Sequence, residues 1–320
     1  MISRRLLRVK ALMCLYAYNR RDDGDLAKAE KELQLSLNKS YELYFYLLLL
    51  LIELADTASE KIAFALQKKM PSPEDLRPNR RFADNMVINQ LRENRELRKY
   101  QASTGLSWAP HNMVIRTLYS RLTEWEEYRK YMSAEKHGYT EDKKFLLKLI
   151  AVFIPASEDL VSAFEEMSIY WNDDLENIIL MAEKTLRRFS KNSGPDTPLM
   201  PLFRNEEDKD FVINLFRKAI LNTEKVTDLI DRNTTNWEVE RIALMDRLVM
   251  QMAITEVMCF EEIPVKVTLN EYIEIAKNYC TAKSNTFVNG ILDKIVREMR
   301  ENKLFRKTGR GLLGEDGNNE

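Results

Sequence analysis

Apolar residues recur at helical spacing along most of the chain, and no stretch alternates apolar and polar positions for long enough to make a strand. The pattern predicts helices over about 4–21, 26–69, 82–102, 112–134, 141–166, 172–191, 206–232, 237–260, 268–280 and 285–303. Pro-rich breaks at 71–81, 104–111 and 192–203 read as loops or hinges. Residues 44–55 (YFYLLLLLIELA) form the most apolar run, yet fall short of the roughly 18–20 residues that cross a bilayer. The fold class this predicts is all-α.

Part of the pattern repeats at an offset of 66. Glu141-Asp142-Lys143-Lys144-Phe145 is echoed by Glu207-Asp208-Lys209-Asp210-Phe211. Without a gap, Leu149, Ile154, Glu158 and Trp171 then match Leu215, Ile220, Glu224 and Trp237. Each copy reads as a helical hairpin, 141–191 in the first case, whose second helix opens at the Trp. Two unrelated amphipathic helices would share the leucines by chance; the Trp and the acidic start are harder to share that way.

Composition supports helices, with only nine Gly and nine Pro in 320 residues. The net charge of −1 does not announce a nucleic-acid binder, but the charge is unevenly spread. Arg4, Arg5, Arg8, Lys10, Arg20 and Arg21 occupy the first 21 residues without one acid. Residues 77–99 hold seven basic groups against three acids, and 297–310 hold six against two. In 77–99 the signs interleave, as they also do on any solvated helix face. Cys14, Cys259 and Cys280, with His111 and His137, have no disulfide or metal spacing, so no metal and no cofactor is expected. Arg8 and Lys10 interrupt what would be a signal-peptide core, and a cytoplasmic protein with no membrane association is the simplest expectation.

The most specific sequence lies near the end. Thr268-Leu269-Asn270-Glu271 has the form of a capping box, with Leu269, Ile273, Ala276 and Cys280 forming one apolar face behind it. In the last helix Val288, Ile291, Leu292, Ile295 and Met299 make a core stripe, flanked by Phe287 on one side and Asn289 on the other. A flanking aromatic can pack at the core's edge or stack on an unpaired base. Gly290 predicts a close helix approach.

Ile263-Pro264-Val265-Lys266-Val267-Thr268-Leu269-Asn270-Glu271-Tyr272-Ile273-Glu274-Ile275-Ala276-Lys277 resembles the IP-x-KV-x-INEA-x-ELAK segment of the NusB family. Ser284-Asn285-Thr286-Phe287-Val288-Asn289-Gly290-Ile291-Leu292-Asp293 resembles its S-x-x-FVNG-[VI]-LD close. The stretch from Met245 to Glu256 is similar to its acidic-[RK]-x-x-LR-x-A-x-x-E helix, and Arg4-Arg5-x-x-Arg8 with Leu15-Tyr16 fits its first helix. The likeness covers about 1–20 and 206–303. It implies a two-lobed NusB-like helical bundle enlarged by an insertion: a first helix in 1–24, inserted helices in 25–200, the core in 201–303 and a flexible tail in 304–320.

The resemblance further implies a transcription antitermination factor that binds boxA-type single-stranded RNA together with NusE, a small-subunit ribosomal protein. The pair would act on the RNA polymerase elongation complex during ribosomal RNA transcription. On matching positions, Arg4, Arg5 and Arg8 would meet phosphates, with Phe287, Lys283 and Lys277 on the same RNA surface. Tyr16 and Asp246 would face NusE. Lys283 departs from the acidic residue common in the family, and Met13 stands where Gln is common. NusB-like domains also precede ribosomal RNA cytosine methyltransferases, but no Gly-rich strand–turn–helix loop or catalytic constellation is present, so no enzyme is expected. A protein scaffold that has lost its RNA contacts stays open. Internal pairing of the first-helix arginines with acids of the insertion would favour it.

Overall fold

The computed structural model describes residues 1–21, 24–234 and 242–313, with the side chains of Ala282 and Lys283 also left out. Among the described residues fifteen α-helices follow one another: α1 (Arg4–Asn19), α2 (Leu26–Leu66), α3 (Pro73–Leu76), α4 (Met86–Glu93), α5 (Arg95–Thr104), α6 (Asn112–Glu124), α7 (Glu126–Ser133), α8 (Tyr139–Lys148), α9 (Glu158–Met167), α10 (Leu175–Arg188), α11 (Glu206–Leu221), α12 (Thr223–Asn233), α13 (Leu244–Cys259), α14 (Val265–Tyr279) and α15 (Ala282–Glu301). Among the described residues there is no strand, and the protein is all-α. No helix there is long and apolar enough to cross a membrane.

Several expected long helices are broken in two. Asn94 ends α4, and its side-chain oxygen accepts from the Leu97 amide to start α5. Trp125, in extended backbone, separates α6 from α7. The region read as 141–166 holds a π-helical turn at Leu149–Phe153 and a break before α9. Amphipathic periodicity survives such breaks, because the chain resumes with its apolar side still turned inward.

The chain divides into two compact units, residues 1–2 with 38–202, and 3–37 with 203–320. In the first, the apolar middle of α2 is the central rod: Leu43, Tyr44, Phe45 and Leu47 to Leu51 are all buried. Trp108 and Trp171 are tied to it, their indole nitrogens donating to the Tyr46 and Lys39 carbonyls. In the second, α1 packs on α11 and α13, and α13 on α14 and α15. Residues 26–37 of α2 belong here, so this unit takes in more of the chain's start than its first helix.

The repeated segments occupy similar settings in their own units. Asp142 and Asp208 are buried in the first turns of α8 and α11, with Phe145, Leu149, Phe211 and Leu215 buried behind them. Helix α8 packs on α4 and α10, as α11 packs on α1 and α13. Trp171 lies in a short 3-10 turn ahead of α10, so the first copy has more pieces than a hairpin. Trp237 lies outside the described residues.

Residues 304–313 are not the flexible tail expected. Lys307 is buried and its Nζ donates to the Val257 and Phe260 carbonyls at 2.9 Å, while the Thr308 amide donates to Glu261 O. Gly311 lies so close under the Glu261 carbonyl that any Cβ there would overlap it. The end of α13 is thereby capped from outside, its free carbonyls taken up by a lysine.

Candidate nucleic-acid interface

The second unit closes around one buried ion pair. Arg8 and Glu256, whose side chains are 3% and 0% exposed, meet through two hydrogen bonds, Nε to Oε2 at 2.8 Å and Nη2 to Oε1 at 2.7 Å. The Thr268 hydroxyl donates to Glu256 Oε1 at 2.9 Å and the Tyr272 hydroxyl to Oε2 at 3.2 Å. The carboxylate of α13 is thus met by four donors from two helices, α1 and α14, the satisfied arrangement a buried charge requires. Burial opposes the charge on Arg8, but Glu256 outweighs it and holds the guanidinium above the ordinary arginine range. Burial, then Glu256, pushes the Tyr272 phenol well up, so it stays a donor.

This hub overturns two local expectations. Thr268 does not cap a helix: α14 begins at Val265 after Pro264, which leaves Thr268 inside it. Its buried positions are Val265, Thr268, Tyr272, Ile275 and Ala276, while Leu269 and Ile273 are half-buried. The helix is rotated by about one residue because two hydroxyls turn inward to serve the carboxylate.

The hub also corrects the role expected of Arg8. Its guanidinium is walled in by Glu256 and the Phe211 ring, 5.1 Å away, and cannot reach a phosphate without breaking the unit's core. Arg4 and Arg5 flank it and diverge. Arg4, 42% exposed, bonds Asp208 at 2.7 Å and lies over the same Phe211 ring. Arg5, 51% exposed, forms a two-point bond with Glu271 at 2.9 and 3.0 Å, which raises its pKa. Lys277 pairs with Glu274, a carboxylate that also acts on Arg5. Arg4, Arg5, Arg8 and Lys277 are thus each held by an acid of the same unit that lies outside residues 25–200, whereas Arg21 pairs with Glu32 inside that segment.

Phe287 is half-buried in the first half of α15, between the core stripe and solvent. The Lys283 side chain lies outside the described residues. Gly290 is exposed, and among the described residues no atom lies within 4 Å of where a Cβ would stand. It lines a groove of about 550 Å³ with Asn233, Lys294 and Arg297. Tyr16 is half-buried with the Arg20 guanidinium 5.4 Å from its ring, a lid a partner could displace. Asp246, expected at a partner surface, is corrected: it is buried and takes a hydrogen bond from Cys280. That burial and bond push the Cys280 thiol up to about 12. Among the described residues no group of His, Cys, Asp or Glu could hold a metal ion.

The residues sequence reasoning missed are the acids. Glu256 was visible only as the last letter of a helix motif, and Asp208 only as part of a repeat. Nothing local in the chain says that residues over 200 positions away will claim the arginines.

Fold and site together define an all-helical protein in which the chain's first helix is locked by charge into its last third. The NusB family model matches residues 181–297, from within α10 to near the end of α15. The chain is 44% identical over 117 residues to the transcription antitermination protein NusB of Salinibacter ruber, a match covering 37% of this chain and 73% of that protein. It is 41% identical over 105 residues to the NusB of Chloroherpeton thalassium (33% and 50%), and 37% identical over 93 residues to that of Alkaliphilus oremlandii (29% and 67%). A solved NusB from T. maritima is 30% identical, with 43% of this chain and 85% of that one covered at a TM-score of 0.29. The chain belongs to the NusB family, as a long variant whose additional residues lie ahead of the matched region.

Proposed function

We infer that the protein is a transcription antitermination factor that binds boxA-type single-stranded RNA jointly with the ribosomal protein NusE, in the elongation complex that makes ribosomal RNA. The observation that carries this is the half-exposed pair Arg4 and Arg5, on either side of the buried Arg8 in α1, a helix whose Arg4-Arg5-x-x-Arg8 pattern resembles the family's first helix. Both are guanidinium groups with hydrogen-bonding capacity beyond their acids, suited to phosphate oxygens. Phosphate contacts of this kind fix position, and base preference falls to Phe287 and its neighbours. Lys277 and Lys283 extend the RNA surface, and Tyr16 serves NusE. No catalytic step belongs to this reading.

Because Asp208 and Glu271 already hold these arginines, RNA must compete with them, and the protein alone binds weakly. Fluorescence anisotropy of a labelled boxA RNA, with and without NusE at two salt concentrations, tests the reading. Tightening by NusE and a salt slope that falls by about 1.4 in the Arg4→Ala, Arg5→Ala variant are expected, at about 0.7 per lost phosphate contact. The second reading, a protein scaffold in which the arginines only hold the unit together, would have drawn on acids of 25–200, whereas Arg4, Arg5 and Arg8 pair with Asp208, Glu271 and Glu256. RNA affinity that ignores both NusE and the double substitution selects it.

A further inference from the structure

The first unit carries a cationic surface that the α1 site does not use. Residues 61–81 hold six basic side chains, Lys61, Lys68, Lys69, Arg77, Arg80 and Arg81, against Glu74 and Asp75, within a chain whose total is −1. The two acids are engaged locally: Asp75 caps Ser72 and takes Lys68, and Glu74 is hydrogen-bonded to Ser72. Lys69 and Arg77 make no ion pair among the described residues. Arg80 is held by Asp84 at 2.8 Å, and Arg81 donates to the Ala134 and Lys136 carbonyls, fixing the neighbouring loop.

Two adjoining grooves of about 270 and 410 Å³ open here and share Asn79 and Met132. One is bordered by Lys61 and Ala65 on the last turns of α2, the other by Arg80, Arg81 and His137. In the last turn of α2 Phe64 is 74% exposed, and Met70 shortly after the helix is 89% exposed. An aromatic left in water costs apolar hydration unless something covers it. One turn of helix puts Phe64 within about 60° of Lys61 around the helix axis.

We propose that this face of the first unit is a second binding surface for unpaired RNA, with bases stacking on Phe64 and phosphates meeting Lys61, Lys69 and Arg77. Flat apolar area flanked by cations along a groove is the chemistry that takes single-stranded nucleic acid without sequence preference. An acidic peptide would use the cations but leave the aromatic face unmatched.

The test uses the full chain carrying Arg4→Ala and Arg5→Ala, so that the α1 surface is disabled and either surface can fail alone. The probe is a fluorescein-labelled mixed-sequence single-stranded RNA, and the same RNA with 4-thiouridine for crosslinking. Residual binding is expected, weakened roughly fivefold or more by Phe64→Ala. Lys69→Glu with Arg77→Glu should lower its salt slope by about 1.4. Crosslinks should fall in peptides from 61–81. All three positions are at the surface, so thermal unfolding followed by circular dichroism should not move. No residual binding, crosslinks confined elsewhere, or capture of anionic vesicles in place of RNA would each overturn the proposal.

Discussion

Replacing Glu256 by Gln keeps the shape of the hub and removes its charge. Arg8 is then a buried cation whose two donors face a neutral amide, and the Thr268 and Tyr272 hydroxyls lose half their electrostatic partner. For charge centres about 4 Å apart, an effective dielectric constant of about 20 gives an attraction of about 4 kcal/mol. That agrees with the roughly 3–5 kcal/mol lost when one member of a buried pair is removed. The second unit should therefore lose about two to three powers of ten in its folding equilibrium. Urea unfolding followed by far-ultraviolet circular dichroism reads this as an earlier midpoint for part of the helical signal. Arg8→Met with Glu256→Met is the essential companion, because removing both charges and filling the space should recover most of the stability. A coupling energy near zero in this double-mutant cycle, with the two single losses simply adding, would refute the idea that the pair acts as one unit.

Glu271→Gln should release Arg5 from its two-point bond and raise boxA RNA affinity by roughly 1.5- to 5-fold, the worth of an exposed ion pair, as read by anisotropy; lower affinity would show that Glu271 orients Arg5 for RNA. Gly311→Ala should undock residues 304–313 at a cost of about 1–3 kcal/mol, visible as faster proteolysis there, since the Cβ would meet the Glu261 backbone. Cys280, whose thiol is pushed up to about 12 by burial and by Asp246, should react with iodoacetamide at pH 8 far more slowly than in urea. Its folded pKa lies above the ordinary value, so its contribution to stability is complete below about pH 9 and is lost as pH rises towards 12. Cys280→Ser should flatten that alkaline decline in a stability–pH curve.

Helix type and core stripes were legible in the sequence, and α15 buries Val288, Ile291, Leu292, Ile295 and Met299 as its periodicity requires. Periodicity reads one face of one helix at a time, which is why it succeeded there and failed on α14. In α14 the inward side is chosen by two hydroxyls and a carboxylate from another helix, and a hydrophobic count gives hydroxyls no weight. The basic first helix was equally legible as charge, but the acids that answer it are scattered at 208, 256 and 271, and only folding gathers them. Gly290 failed for a related reason. A helical glycine signals either a near neighbour or an open groove, and the sequence around it is the same in both cases. The anchoring of residues 304–313 was invisible because Lys307 reads as solvated charge until the carbonyls at the end of α13 are seen beneath it.

Arg8 and Glu256 are separated by 248 positions along the chain. On a ribosome, which adds roughly 5–20 residues per second, α1 leaves the exit tunnel long before its carboxylate has been polymerised. For those seconds the helix must wait, solvated, while the whole of residues 38–202 emerges and can fold ahead of it. The second unit is therefore completed only after residues 38–202 have been made, and termination between residues 221 and 256 releases a product in which α1 can meet α11 while Arg8 has no Glu256 to neutralise it.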